Sequence, residues 1–268
     1  MYRLLACDID HTILPPGGTI SAPDIAAFHR LHQAGVLVVL ASGRATVSTR
    51  RILDGIFRDD PPDYLISFNG ARVDSLVERF TLWSSNLPIE VISELSAWAR
   101  DAGVYLQGYN GEQILVEQDN PYIRSYQAAA GIEFRIVSSI ADAVAPLGGA
   151  PKLVIHDLPQ NLPAHIETLR SLSRGRWDVV TSIPTFVEVV SAGTNKGTAL
   201  HVLAEHLGFS MSEIIAVGDN LNDIEMIREA GTGVAVANAV PELKAIADWV
   251  TTRDAEHSAL AEVVDRFF

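Results

Sequence analysis

The sequence has one cysteine, no long apolar run and no concentration of basic residues, and each shortage excludes a class of protein. A single cysteine, Cys7, cannot form an intramolecular disulfide, so the fold does not depend on covalent cross-links. The longest apolar stretches, such as Val36 to Ala41, fall far below the ~18 residues that a membrane span needs. The apolar run before Asp8 is also shorter than the ~7–15 residues of a signal peptide's hydrophobic region. We therefore expect a cytoplasmic protein.

Positive charge is scarce as well. Lys and Arg number 20 against 33 Asp and Glu, which gives a net charge of −13 over 268 residues. Affinity for a phosphate backbone or an anionic lipid surface comes from clustered basic side chains, and the sequence contains no such cluster. We therefore expect neither nucleic acid nor a membrane as a partner. The sequence carries no indication of the oligomeric state.

Strand-like and helix-like segments alternate at both ends of the chain. The early ones are a buried strand through Cys7, a helix from about Ala22 to Ala34 and an apolar strand over 36–40. The late ones are a helix from Lys196 to Leu207, a strand over 213–217, a helix over 223–229 and a strand over 233–236. This alternation is typical of an α/β fold, in which helices cover a parallel sheet.

The pattern changes in the middle of the chain. A helical stretch from Ile89 to Ala102 is followed by alternating segments over 104–109 and 113–117, which are typical of an antiparallel sheet with one solvated face. The length also suits two domains of ordinary size. We therefore predict an α/β core made of residues 1–82 and 191–268, with an α+β domain inserted over 83–190.

Polar residues cluster where strands end or helices begin. Asp8, Asp10 and Thr12 follow the first strand, and the other clusters are Ser42-Gly43-Arg44 after the second strand, Lys196 at a helix start and Gly218 to Asp223 after a late strand. Any one cluster is equally well explained as a solvated turn or a capped helix. In open parallel sheets, however, ligands bind beyond the carboxyl ends of the strands, so the joint occurrence predicts a shared ligand site.

In this order the motifs resemble those of the haloacid dehalogenase (HAD) superfamily, and specifically its Cof-type phosphatases. The matching residues are Asp8-x-Asp10-x-Thr12, Ser42-Gly43-Arg44, Lys196 and Gly218-Asp219-x-x-Asn222-Asp223, and Asn69-Gly-Ala71 also resembles a Cof-type signature. The resemblance covers the chain end to end. It implies a Rossmann-like parallel core with helices on both faces and an inserted α+β cap that carries substrate specificity.

The resemblance also implies a chemistry. The chain would be a Mg²⁺-dependent phosphohydrolase of small phosphorylated metabolites, with sugar phosphates foremost, acting through an aspartyl phosphate. Asp8 would be the nucleophile and Asp10 the general acid and base. Mg²⁺ would be bound by Asp8, the backbone carbonyl of Asp10 and Asp219.

The remaining motif residues receive supporting roles from the same resemblance. The phosphate ligands would be Ser42, Gly43, Lys196 and Asn222, and the residues that support them would be Thr12, Arg44, Asn69 and Asp223. In the cap, Tyr105 and Tyr109 share a strand face with Gln107 and are candidates for contacting the leaving group, although such alternation is also explained by packing. His11 replaces the glycine that is usual in the family, and its role stays open.

Two other functions fit the same motifs. A hexose phosphomutase forms the same aspartyl phosphate and passes the phosphoryl group to a second hydroxyl, so its product from a hexose 1-phosphate is the 6-phosphate rather than inorganic phosphate. A phosphate- or sugar-sensing module keeps the binding geometry without turnover. Such a module has no need of Asp10 as acid and base, which favours an enzyme.

Overall fold

The computed structural model describes residues 1–57, 60–181 and 186–268. Its strands are β1 (Leu4–Asp8), β2 (Leu37–Ala41), β3 (Tyr64–Ser67), β4 (Arg72–Ser75), β5 (Thr81–Ser84), β6 (Tyr105–Tyr109), β7 (Ile114–Val116), β8 (Phe134–Ile136), β9 (Leu153–His156), β10 (Trp177–Val180), β11 (Phe186–Ser191), β12 (Ile214–Gly218), β13 (Thr232–Ala235) and β14 (Trp249–Val250). Its helices are α1 (Ala22–Gln33), α2 (Thr46–Ile56), α3 (Ile89–Ala102), α4 (Pro121–Ala130), α5 (Ile140–Val144), α6 (Leu162–Ser173), α7 (Lys196–Leu207), α8 (Ile224–Glu229), α9 (Pro241–Lys244) and α10 (Ala259–Phe267).

The chain folds as two compact units. The first unit comprises Met1–Arg44, Thr49–Trp83 and Asn195–Phe268, and the second comprises Ala45–Ser48 and Ser84–Thr194. Each unit has its own cluster of buried apolar side chains. The second unit therefore interrupts the chain of the first.

The first unit is built on an eight-stranded sheet with the order β14-β13-β12-β1-β2-β3-β4-β5. The strands from β14 to β3 are parallel, whereas β4 is antiparallel to β3. Every residue of β1 and of β12 is buried, as expected of central strands covered on both faces. The predicted α/β class with a parallel core is confirmed. The antiparallel strand β4 was not predicted. It is antiparallel because the connection between β3 and β4 is too short for the crossover that a parallel neighbour requires.

Local sequence signals account for the starts of two helices of the first unit. α1 begins after Ser21, whose hydroxyl accepts the Asp24 amide at 3.2 Å, and α7 begins after Asn195, whose side chain accepts the Thr198 amide at 2.8 Å. The helices predicted at Ile89–Ala102 and Lys196–Leu207 are confirmed at both ends. In the described ranges, every helix is too short or too polar to cross a bilayer.

The second unit is built on a six-stranded sheet with the order β10-β11-β9-β6-β7-β8. Its neighbouring strands are antiparallel except β7 and β8, which are parallel and are joined through α4. One apolar face of this sheet packs against side chains of α3, α5 and α6. This is an α+β arrangement, in which helices cover one face of a largely antiparallel sheet.

The second face of this sheet corrects one expectation from the sequence, because it is not solvated. Gln107, His156 and Glu188 lie on it and are each no more than 5% exposed. Two rings of α4 contribute to the cover, since Tyr122 stacks on His156 at 5.7 Å between centroids and Tyr126 meets the same ring edge-on at 5.9 Å. Alternation shows which residues share a face but not what covers that face.

Candidate active site

The polar clusters of the first unit lie at the carboxyl ends of adjacent strands. Asp8 is the last residue of β1, Ser42 follows β2 and Asp219 follows β12. These three strands are neighbours in the sheet, and parallel strands end at the same edge. Lys196, the first residue of α7, joins them there. The sheet thus brings together motifs that are far apart in the sequence.

Lys196 is a fully buried cation that is bonded by two carboxylates. Its Nζ donates to Asp8 Oδ1 at 2.5 Å and to Asp223 Oδ1 at 2.6 Å. Burial lowers the pKa of Lys196, but Asp223 and Asp8 more than offset this and raise the pKa above its ordinary value. The ammonium therefore stays charged and holds the carboxylate of Asp8 in place.

Asp8, Asp219 and Asp223 form a buried acidic cluster in which the nearest carboxylate oxygens lie within 4.8 Å of one another. Asp223 uses both of its oxygens, one for Lys196 and one for two backbone amides of the loop after β12 at 3.0 and 3.1 Å. Asp219 accepts from Thr12 Oγ1 at 3.2 Å through Oδ1 alone. Among the described residues, nothing donates to Oδ2 of Asp8 or of Asp219, so these oxygens can accept a ligand.

The electrostatics of this cluster fit a divalent cation. Burial raises the pKa of Asp8 well above its ordinary value; Lys196 lowers it by less, and Asp223 and Asp219 add to the rise. Burial and then Asp223 raise the pKa of Asp219 to about 6. Raised values of this kind mean that the ionised carboxylates lack compensating positive charge. A hard cation with oxygen ligands, such as Mg²⁺, suits this donor set.

Arg44 and Asp10 form a bidentate ion pair. Arg44 Nε donates to Asp10 Oδ2 at 2.8 Å and Nη2 donates to Asp10 Oδ1 at 2.6 Å, and about a third of each side chain is exposed. Two parallel hydrogen bonds fix the orientation of a carboxylate as one bond cannot. This pairing was missed from the sequence, because the two residues follow different strands and their motifs do not say which carboxylate the guanidinium meets.

The predicted phosphate ligands lie in one polar patch. Ser42 Oγ accepts the Arg44 amide at 3.1 Å, which leaves its own hydrogen for donation to a ligand. Asn222 Nδ2 donates to Asn69 Oδ1 at 3.1 Å, and a Cβ on Gly43 would lie only 2.7 Å from that same oxygen. Because Gly43 has no side chain, the amide of Asn69 can lie close to the backbone of Gly43. Their contact with a phosphate stays a prediction.

Two residues with left-handed backbone shape the loops of the site. His11 has φ +63° where the family pattern usually has glycine, and its carbonyl accepts from Asn238 Nδ2 at 2.7 Å. Gly70 has φ +98°, and a Cβ there would lie 2.2 Å from the Asn195 carbonyl oxygen. The glycine therefore allows the loop after β3 to pack against the start of α7, which positions Lys196.

Tyr105 and Tyr109, the predicted cap contacts, belong to β6 of the second unit. Tyr109 is 1% exposed; its hydroxyl accepts from Gln107 Nε2 at 2.7 Å and donates to the hydroxyl of Tyr126 at 3.0 Å. Tyr105 is half-buried, and its ring lies 5.5 Å from that of Tyr122. Both tyrosines are part of the aromatic layer of the second unit, and their contact with a substrate stays a prediction.

Similar proteins are known for the whole chain. A family model described as haloacid dehalogenase-like hydrolase matches residues 5–264. The HMP-PP phosphatase of Escherichia coli O6:H1 is 31% identical over 248 residues, which cover 91% of this chain and 88% of that protein. A haloacid dehalogenase-like hydrolase from Bacteroides thetaiotaomicron has a similar structure, with a TM-score of 0.90, 28% identity and full coverage of both chains. TM0651 from Thermotoga maritima has a TM-score of 0.89, 31% identity and coverage of 100% and 98%.

Proposed function

Because the chain belongs to the haloacid dehalogenase-like hydrolase family, we propose that it is a Mg²⁺-dependent phosphohydrolase of small phosphorylated metabolites, with sugar phosphates foremost. The reaction passes through an aspartyl phosphate on Asp8. One observation carries the proposal: a buried carboxylate at the sheet edge is held by Lys196 through one oxygen while its other oxygen is left without a donor among the described residues.

The two carboxylates of the first motif divide the chemistry. Asp8 attacks phosphorus and forms an acyl phosphate while the bond from phosphorus to the ester oxygen breaks. Asp10 gives its proton to that leaving oxygen. As a carboxylate it then takes a proton from the water that attacks the acyl phosphate, which releases orthophosphate and restores Asp8.

Arg44 acts on Asp10 rather than on the nucleophile. Its guanidinium donates one hydrogen bond to each oxygen of Asp10. The pair also orients the carboxyl group, which donates a proton to the leaving oxygen in the first half-reaction and accepts one from water in the second. Arg44 is therefore a positioning residue for the acid and base.

The metal and the phosphate ligands supply positive charge and hydrogen bonds. Mg²⁺ would be held by Asp8, Asp219 and the backbone carbonyl of Asp10, and when bound it would keep Asp8 ionised and neutralise phosphate oxygens. The residues proposed to bind the phosphoryl group are Ser42, Gly43, Lys196 and Asn222, with Thr12, Asn69 and Asp223 in support. An acidic chain needs such local positive charge, because its overall field opposes an incoming phosphate.

The second unit is proposed to be the cap that selects the leaving group. It is an inserted segment with its own core, so it can vary while the first unit keeps the phosphoryl chemistry. Tyr105 is the better candidate of the two predicted contacts, because it is half-buried whereas Tyr109 is enclosed and hydrogen-bonded. Replacement of Tyr105 by Ala should change the order in which phosphate esters are preferred as substrates, and it should not weaken the binding of inorganic phosphate.

A phosphate-release screen with the purified protein tests the proposal. The panel consists of sugar phosphates, polyol phosphates, nucleotides, phosphoglycolate and pyridoxal phosphate, each assayed with Mg²⁺ and with EDTA. We expect Mg²⁺-dependent release from small esters, no release in EDTA, and a hydroxylamine-labile phosphoenzyme in Asp10→Asn. Absence of release from every ester overturns the proposal. Conversion of a hexose 1-phosphate to the 6-phosphate without orthophosphate would instead support the phosphomutase.

A further inference from the structure

The second unit contains a cavity that the proposed chemistry does not use. It has a volume of about 260 Å³ and is lined by one face of α3, by the start of β6, by the chain that follows β7 and by Ser138 after β8. Ser96, Ala99 and Arg100 form the α3 wall, since residues three and four apart share a helix face. All of the lining residues belong to the second unit, and none of them is a proposed metal or phosphate ligand. Tyr105, the proposed contact for the leaving group, borders the cavity, but its ring lies against Tyr122 on the opposite face of β6 from Leu106 and α3.

Ser96 gives this cavity a polar group that requires a partner. The side chain is 4% exposed, and in the described part of the chain its Oγ has no hydrogen-bond partner. A serine inside a helix can point to solvent or bond the carbonyl four residues earlier, and this serine does neither. A buried hydroxyl without a partner costs free energy, which a hydrogen bond from a bound molecule recovers.

The charges at the cavity indicate what kind of molecule fits. Arg100 Nη1 donates to Glu117 Oε2 at 2.7 Å, and both residues line the cavity, so their charges cancel. The Glu117 carboxylate would repel an anion, and the Arg100 guanidinium would repel a cation. A neutral molecule with several hydroxyl groups can instead accept from the guanidinium and donate to the carboxylate.

The size and the remaining lining narrow the class further. Pockets for drug-sized ligands hold roughly 300–1,000 Å³, so a volume of about 260 Å³ suits a molecule no larger than a monosaccharide. Val104 and Leu106, which pack in the same apolar cluster as α3, add an apolar wall on the β6 side, and such a wall suits the carbon skeleton of a sugar or polyol.

We propose that this cavity is a second binding site, for a neutral polyhydroxylated molecule of monosaccharide size. It requires no phosphoryl group and none of the carboxylates of the first unit. The proposal therefore goes beyond the phosphatase activity and does not rest on it.

Ligand-observed NMR with the full chain tests the proposal, with glycerol, D-glucose and myo-inositol as probes. Saturation transfer to at least one probe is expected, together with backbone amide shifts confined to residues 96–106 and 117–120 and to Ser138. Ser96→Val should fill the space, remove the hydroxyl and weaken binding at least tenfold. Ser93→Val is the matched control, because Ser93 is exposed and does not line the cavity, so the same substitution there should leave binding unchanged.

Several results would overturn the second site. The first is that no probe shows saturation transfer, and the second is that Ser96→Val binds the probe as well as wild type does. The third is that the saturation-transfer signal disappears when orthovanadate and Mg²⁺ occupy the phosphate site. If Ser96→Val does not fold, Arg100→Met carries the test. That side chain is 63% exposed, and its loss removes the donor on the rim. Unchanged binding in a folded Arg100→Met would then count against the site.

Discussion

Each unit buries a lysine beside a carboxylate, but the two pairs have different surroundings. In the first unit Lys196 is shared by Asp8 and Asp223, and negative charge is in excess. In the second unit Lys152 donates to Glu188, and each of these side chains is no more than 2% exposed.

The difference shows how to separate a ligand site from a structural ion pair. In the first unit the pKa of Asp8 is raised, so the folded protein holds that carboxylate ionised only at a cost. In the second unit burial lowers the pKa of Lys152, but Glu188 and then Tyr126 more than offset this. Buried charge that the protein does not compensate indicates a ligand site, whereas a buried charge with a matching partner indicates a structural ion pair.

The largest effect should come from the nucleophile. Asp8→Asn should reduce kcat by about 10⁴-fold or more, because the amide cannot attack phosphorus. It should also leave the stability of the metal-free protein equal or higher, because it removes one of the excess buried charges while Lys196 keeps Asp223. Phosphate release and thermal melting measure the two outcomes. Activity within tenfold of wild type would contradict the assignment.

The equivalent change in the second unit should act on stability with the opposite sign. Glu188→Gln removes the carboxylate that bonds a buried ammonium, and breaking such a pair costs about 3–5 kcal/mol. Urea denaturation measures the free energy of unfolding. The control is Glu94→Gln, which breaks the exposed pair with Arg176 in the same unit and should cost less than about 1 kcal/mol. Equal costs would remove the distinction between the two kinds of pair.

Arg44→Lys should have a smaller effect that depends on the leaving group. Lysine keeps the charge but cannot bond both oxygens of Asp10, so we expect kcat to fall about 100-fold for alkyl phosphates. The loss should be smaller for p-nitrophenyl phosphate, whose leaving group needs little protonation. The melting temperature should change little, because the pair is partly exposed. Equal losses on both substrates would mean that Arg44 does not act through Asp10.

The smallest effect concerns pH and the second unit. Burial and then Lys152 lower the pKa of His156 from 6.5 to about 4. The folded state therefore excludes a proton that the unfolded chain binds, so the stability contributed by neutral His156 is full above pH 6.5 and falls by about 2 kcal/mol by pH 5. Unfolding in urea at pH 7 and pH 5 measures this loss. His156→Gln should reduce the difference, whereas the exposed control His201→Gln should not.

Much of the fold follows from local patterns. The alternation of strands and helices, the ends of α3 and α7, and the position of polar residues at strand ends all depend on periodicity and capping within a few residues. The order of the motifs also indicates which residues meet at the sheet edge. These features were predictable because each depends on near neighbours in the chain or on a general property of parallel sheets.

Other features depend on contacts that no local pattern encodes. The Arg44 guanidinium binds Asp10 rather than another carboxylate of the site because of the distances between two strand ends. Gln107 is buried rather than solvated, and the orphaned hydroxyl of Ser96 lies at a cavity because of the neighbouring elements that enclose them. The sequence by itself determined which residues stand at the ends of the strands. Only the tertiary structure decided which charges pair and which polar groups lose water, because both depend on separations between elements distant in the chain.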